Sequence, residues 1–128
     1  MSTIKSRAWL TIVYPESVNP DWIDFLEERG QQVVISPLHD QDKLICPEGD
    51  ETVKKAHYHV MLLWDGPTTE RNAKEVVKSI GGVGCLKCAS VRGSVRYFLH
   101  LDNPDKHQYS FDDLRQIGGL DNQHLRCF

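Results

Sequence analysis

The sequence lacks the features that mark membrane and secreted proteins. None of its apolar runs reaches the roughly 18 residues that a membrane-spanning helix needs. The first residues, MSTIKSRAW, contain no apolar stretch of the kind found in secretory signals. Internal repeats and low-complexity tracts are also missing, so the chain is interpreted as one unit. We therefore expect a cytoplasmic protein with no membrane partner.

The sequence has few cysteines and no excess of positive charge. The four cysteines, at positions 46, 85, 88 and 127, are spaced too irregularly for a disulfide framework. Cys85-Leu86-Lys87-Cys88 has the CxxC form, but a zinc site needs two further close ligands, which favours buried small residues. The chain has 15 Lys and Arg against 18 Asp and Glu, a net charge of −3. Taken alone, that balance argues against a nucleic-acid partner.

The composition and the patterning fit one compact domain over residues 1–128. The chain has 40% apolar and 26% charged residues, an ordinary balance that argues against disorder and coiled coils. Runs of β-branched and aromatic residues predict strands. These strands fall at 7–14, 32–38, 56–64 and 83–89, with a further edge strand at 107–110.

Capping residues, prolines and glycines predict where three helices begin and end. The helices are predicted from the cap Asn19 and Pro20 to Gly30, from the turn at 65–68 to Gly81, and from the cap Ser90 to before Pro104. The resulting order is β-α-β-β-α-β followed by a helix. It predicts an α+β fold of the split βαβ, ferredoxin-like type, with an antiparallel-rich central sheet and helices over one or both faces.

Two histidines on the third predicted strand form the most informative segment. Side chains at alternate strand positions share a face, so His57 and His59 can meet one ion. If the second and third strands are antiparallel neighbours, His39 and Asp42 come beside this pair, with Asp40 assigned to the turn or to a position behind the metal ligands. Three imidazoles and one carboxylate suit Mn²⁺, Zn²⁺, Co²⁺ or, less well, Mg²⁺. Taken alone, however, such a histidine pair is more often two partly exposed side chains.

The third predicted helix carries a tyrosine close to a set of basic residues. Tyr97 and His100 share one side of this helix, although an isolated helical tyrosine is usually a boundary residue. Residues 71–96 contain six cations and one acid, a net +5, whereas the rest of the chain carries −8. This asymmetry predicts a DNA-facing surface, with a solvated helix face as the alternative. The candidate DNA contacts are Lys54, Lys55, Arg71, Lys74, Lys78, Arg92 and Arg96.

Ordered motifs give the sequence a resemblance to a known family. They are PLHDQD at 37–42, KKAHYHVMLLW at 54–64, VRYFLH at 95–100 and LDNPDKHQYS at 101–110. Through them the chain resembles the HUH-type nicking endonucleases and, more narrowly, the plasmid rolling-circle replication initiators. A histidine pair alone would be weak, but motifs in this order on the expected loop, strand and helix form a far less accidental set.

The resemblance implies a catalytic and origin-binding domain with the HUH nuclease fold. His39, Asp42, His57 and His59 would hold a divalent cation, Mn²⁺ in first place, and Tyr97 would attack the phosphate of one DNA strand. The product would be a 5′-phosphotyrosyl link and a free 3′-hydroxyl primer, and reversal would rejoin the strand. His100 is the candidate base for Tyr97.

The resemblance also implies partners. The substrate would be a plasmid origin whose nick site is presented as single-stranded DNA in a hairpin loop, and the primer would pass to the host replication machinery. Family members commonly continue into an oligomerisation domain. We expect that region to lie outside this chain and a longer form to be a homo-oligomer.

Two other classes of function are weighed against this one. A cupin-like small-molecule metalloenzyme also uses paired histidines, but its barrel of short strands does not agree with the predicted amphipathic helices. A noncatalytic DNA-binding or assembly module with structural histidines is the second alternative. Metal-dependent nicking of single-stranded DNA distinguishes it from the enzyme.

Overall fold

Strands dominate the structure, a computed structural model that describes residues 4–40, 43–45, 51–53, 55–102, 106 and 108–117. Its helices are α1 (Trp22–Arg29), α2 (Glu70–Ile80) and α3 (Val91–Phe98). Its strands are β1 (Lys5–Val13), β2 (Gln32–Ile35), β3 (Lys43–Ile45), β4 (Glu51–Val53), β5 (Tyr58–Thr69), β6 (Val83–Lys87) and β7 (Arg115–Ile117). None of the helices in these ranges has both the length and the apolar character needed to cross a bilayer.

Five of the strands form one antiparallel sheet in the order β6-β1-β5-β2-β7. The helix α1 links β1 to β2 across the intervening β5, and α2 links β5 to β6 across the intervening β1. This is the split βαβ arrangement, so the predicted α+β fold is confirmed. The strands β3 and β4 pair separately as a two-stranded ribbon.

Both faces of the sheet are covered by helices. Side chains alternate along β5, so Val60 and Leu62 pack on one face with α1 and α2. Met61 and Leu63 pack on the other face with α3. All four side chains are buried, each burial stabilising the fold by about 1.5–3 kcal/mol. The strand that carries the histidine pair is therefore firmly fixed in register.

The beginning of α1 differs from the prediction. Asn19 was expected to cap the helix and Pro20 to lie in its first turn, but the capping position is Asp21. The amide of Asn19 instead donates to the carbonyl of Ser79, at 2.6 Å, near the end of α2. A long-range hydrogen bond thus takes the side chain that the local pattern assigned to a cap.

Two further boundaries were also wrong. The segment 65–68 was predicted as a turn, but β5 continues through it to Thr69 with an irregular register: Ser6 pairs with Thr68, whereas Ala8 pairs with Leu63. Residues 108–110, the described part of the predicted 107–110 strand, are not a strand, and β7 takes the edge beside β2. The backbone N–H of Tyr109 donates to the carbonyl of Leu99 instead of to a sheet neighbour.

Candidate metal centre and nucleophile

Three histidines meet where β5 begins. His39 and His57 form an isolated antiparallel bridge, in which the N–H of His39 donates to the carbonyl of His57 at 2.8 Å and the reverse bond is 3.2 Å long. His59 lies two residues further along the strand. One nitrogen from each ring lies within 4.8 Å of the other two. The predicted neighbourhood of His39 with the histidine pair is therefore present in the structure.

Backbone carbonyls orient two of these rings. Nε2 of His39 lies 2.7 Å from the carbonyl of Phe98, and Nδ1 of His57 lies 2.8 Å from the carbonyl of Lys55. Because a carbonyl only accepts a hydrogen bond, these nitrogens carry the protons. In a neutral imidazole the lone pairs then lie on Nδ1 of His39 and Nε2 of His57, an arrangement common among metal-binding histidines.

The donor set fits a divalent metal ion. His39 and His57 are buried and His59 is half-buried, so the rings are held by the fold before any ion binds. We call these three residues the histidine triad. It can hold a metal ion, and imidazole nitrogens suit several divalent transition metals. Asp42, the predicted carboxylate ligand, lies outside the described residues.

Tyr97 stands beside the triad on α3. Ser90 caps the start of this helix, and its hydroxyl accepts a hydrogen bond from the N–H of Gly93. Val95 and Phe98 anchor the helix in the core, which leaves Tyr97 on the outer side with 56% of its surface exposed. Its ring centre lies 5.2 Å from that of His59. The tyrosine is accessible from solvent and adjacent to the triad.

His100 lies just beyond α3 in a strained conformation. Its φ of 57° falls in the left-handed region, which costs a residue other than glycine about 1–2 kcal/mol. The side chain is buried, with its ring centre 4.5 Å from that of His39 and 6.4 Å from that of Tyr97. The fold therefore brings His100 to the site, while its role as a base stays a prediction.

Tyr109 and Ser36 complete the site and were not predicted there. The ring of Tyr109 stacks on His39, with centres 5.2 Å apart and planes 10° apart, and its hydroxyl donates to the carbonyl of Leu38. The Ser36 hydroxyl accepts the backbone N–H of His59 at 2.8 Å. Tyr109 lies in the motif at 101–110 that carries part of the family resemblance. That motif was the signal available for it.

Three of the predicted DNA contacts already have acidic partners. Lys55 pairs with Glu16, Lys74 pairs with Glu70, and Arg96 makes three hydrogen bonds to Asp102. The hydrogen bonds from Arg96 hold the pKa of Asp102 below its usual range, and the same carboxylate raises the pKa of Arg96. Three other predicted contacts make no ion pair within the described part of the chain: Arg71, Lys78 and Arg92. Lys54 lies outside the described residues.

The CxxC cysteines are separated by the sheet. Cys85 packs against the α1 and α2 side, whereas Cys88 is buried on the α3 side and contacts the hydroxyl of Ser94. Burial raises the pKa of the Cys85 thiol, which disfavours the thiolate that metals bind. The interpretation of these cysteines as small packing residues agrees with this geometry.

Comparison with known proteins supplies the family. The model of the family described as "Plasmid replication protein, origin binding domain" matches residues 1–123. A replication protein from Staphylococcus aureus is 34% identical over 121 residues, which are 94% of this chain and 59% of that protein. The replication protein RepB of Lactiplantibacillus plantarum is 37% identical over 117 residues, 91% of this chain and 51% of that protein.

The replication protein RepB of Streptococcus agalactiae is 33% identical over 129 aligned residues, 94% of this chain and 60% of that protein. The chain thus spans between about half and three fifths of these relatives. The match covers both the sheet and the site. The predicted family is confirmed, and the chain belongs to the plasmid replication proteins, as an origin-binding domain.

Proposed function

We propose that this domain binds a plasmid origin and nicks one DNA strand there, with Tyr97 as the nucleophile. The observation that carries the proposal is the position of Tyr97: an exposed ring 5.2 Å from His59, at the edge of a triad that fits a divalent metal ion. A nucleophile next to a cation site is the arrangement that attack on a phosphodiester needs, because the anionic oxygens otherwise repel the attacking group.

In the proposed step the phenolic oxygen of Tyr97 forms a bond to phosphorus and loses its proton. The bond between phosphorus and the 3′ oxygen breaks, and that oxygen takes up a proton to become a free hydroxyl. The strand is left joined to Tyr97 through its 5′ phosphate, and the reverse reaction rejoins it. A bound cation would neutralise charge on the phosphate. His100 is proposed to accept the tyrosine proton.

The proposal also assigns the metal ligands and the partners of the domain. His39, His57 and His59, with Asp42, would hold the ion, and Mn²⁺ is our first choice. The backbone bonds of His39 and His57 and the Ser36 hydroxyl fix the triad, so little ordering is needed when the strand binds. A single-stranded nick site, use of the primer by host replication machinery, oligomerisation of a longer form and a cytoplasmic location belong to the same proposal.

The test is the covalent intermediate itself. Randomised single-stranded oligonucleotides labelled at the 3′ end are incubated with the domain and Mn²⁺, and label that stays on the denatured protein is mapped by mass spectrometry. We expect a 5′-phosphotyrosyl peptide that contains Tyr97. The adduct should be lost in Tyr97→Phe and in the chelated sample, since both the nucleophile and the ion are needed.

Two control variants test whether loss of the adduct is specific to Tyr97 or follows from removing any tyrosine hydroxyl. Tyr58 lies on the opposite face of β5, packed against Trp22, so Tyr58→Phe should keep the adduct. At saturating Mn²⁺, Tyr109→Phe should keep it as well, because phenylalanine retains the ring that stacks on His39 and loses only the hydroxyl bonded to a backbone carbonyl. A normal adduct yield in Tyr97→Phe would contradict the proposal. Tight DNA binding without any adduct would favour the noncatalytic module.

A further inference from the structure

An open groove leads away from Tyr97 along the outer part of the sheet. Its volume is about 740 Å³, and it lies between α3 and the strands β1 and β6. Tyr97 and His59 line it, so the groove is continuous with the candidate site. Its floor and outer wall include the apolar residues Leu10, Ile12, Val83 and Leu86.

The groove is unusual for the exposure of its apolar side chains. Leu86 is 70% exposed and Val83 is 52% exposed, and with Tyr97 they are three of the four most exposed large hydrophobic residues in the described part of the chain. Exposed apolar groups that lie together in one groove are typical of a binding surface. Among the described residues that line the groove, the single charged side chain is the cation Lys87.

We propose that this groove binds the bases of single-stranded DNA on one side of the nick. The place of the groove in catalysis rests on the proposed function. A strand whose phosphate reaches Tyr97 must continue away from it, and the groove is an open path that starts at that residue. The apolar lining suits the faces of bases, whereas phosphates need cations, and Lys87 is the one cation among the described lining residues. The bases of the strand therefore enter the groove, and its phosphates lie towards the rim.

The proposal predicts a preference for DNA that carries bases. Two fluorescent oligonucleotides of equal length are compared by anisotropy in the presence of a chelator: oligothymidylate and an abasic strand with the same phosphates. The wild-type domain should bind oligothymidylate on the order of tenfold more tightly, since burying a single apolar group contributes roughly that factor. Equal affinities, or no binding of either strand, would overturn the proposal and leave this apolar groove to a protein partner.

Leu86→Glu tests whether the preference arises in the groove. The new charge repels both oligonucleotides equally, so the informative quantity is the ratio of the two affinities, which should fall towards one. Ile4→Glu is the matched control, because Ile4 is 55% exposed, is not among the groove residues and gains the same charge. Its ratio should stay at the wild-type value. Val83→Glu is a second groove variant in case Leu86→Glu does not fold.

Lys87→Gln separates phosphate contacts from base contacts. It should weaken binding of both oligonucleotides by a similar factor and leave their ratio unchanged. Because the chelated binding assay needs no cleavage, it also separates this proposal from the proposed function. A normal Tyr97 adduct with no base preference would overturn the groove alone. A base preference that Leu86→Glu abolishes, without any adduct, would support the groove and contradict the nicking proposal.

Discussion

Replacing Tyr109 by leucine should weaken metal binding by the histidine triad more than replacing it by phenylalanine. The hydroxyl of Tyr109 donates to the carbonyl of Leu38 at 3.3 Å, a long hydrogen bond that contributes at most about 1 kcal/mol. Its ring stacks on His39, and such contacts contribute about 0.5–1.5 kcal/mol beyond burial. Since about 1.4 kcal/mol corresponds to a factor of ten, Tyr109→Phe should lower the metal affinity by about fivefold at most.

Tyr109→Leu loses the hydroxyl and the stack together, so the affinity should fall by roughly another two- to tenfold. Isothermal titration with Mn²⁺ and with Zn²⁺ measures both variants, and the melting temperature of the metal-free domain shows how much of the loss is general destabilisation. Tyr58→Leu, on the opposite face of β5, is the control for removing an aromatic ring. Wild-type metal affinity in Tyr109→Leu, or an equal loss in Tyr58→Leu, would refute the inference that the ring of Tyr109 holds His39 in place for the ion.

Three further predictions follow from ion pairing and backbone conformation. Asp102→Asn should raise the affinity for single-stranded DNA in an anisotropy assay, because Arg96 is released from its carboxylate; an unchanged affinity would show that Arg96 does not face DNA. The hydrogen bonds from Arg96 lower the pKa of Asp102 in the folded state. The stabilisation by this pair should therefore be complete above the unfolded aspartate pKa of about 3.9 and be lost as the pH falls through the lower folded value. An NMR titration of the Asp102 carboxyl measures that value, and a folded pKa at or above about 3.9 would contradict the prediction. Gly81→Ala should destabilise the domain by about 1–2 kcal/mol in urea, because φ is 82° and the new methyl group would lie 3.2 Å from the backbone N of Asn19; wild-type stability would contradict this.

Local patterns predicted much of the fold because the residues that mark these elements act within a few positions. The second helix was predicted to end at Gly81, and α2 ends at Ile80 with Gly81 as its left-handed cap. Asn19 shows the limit of this reasoning, because its hydrogen bond to Ser79 joins residues that are 60 positions apart. The short strand β7 was missed for the same reason: its place depends on pairing with β2.

In the candidate site too, local spacing predicted some of the contacts, and long-range contacts decided the rest. The two-residue period of a strand placed His57 and His59 on one face, and antiparallel pairing brought His39 beside them. The stack of Tyr109 on His39 depends on the path of the chain after α3, which no spacing reveals. The partner of Arg96 was hidden for a similar reason, since Asp102 reaches it only after the left-handed turn at His100.

Ion pairing changes the meaning of the charge asymmetry that first indicated DNA. The cations counted towards a basic surface include Lys74 and Arg96, each already paired with a carboxylate, so phosphates must compete with those partners. An apolar groove lies beside Tyr97 instead, and Lys87 is the one charged side chain among its described lining residues. The affinity for DNA near Tyr97 should therefore depend more on bases than on salt. Phosphate contacts carry no sequence information, so contacts to bases suit the proposed selection of one phosphate among many.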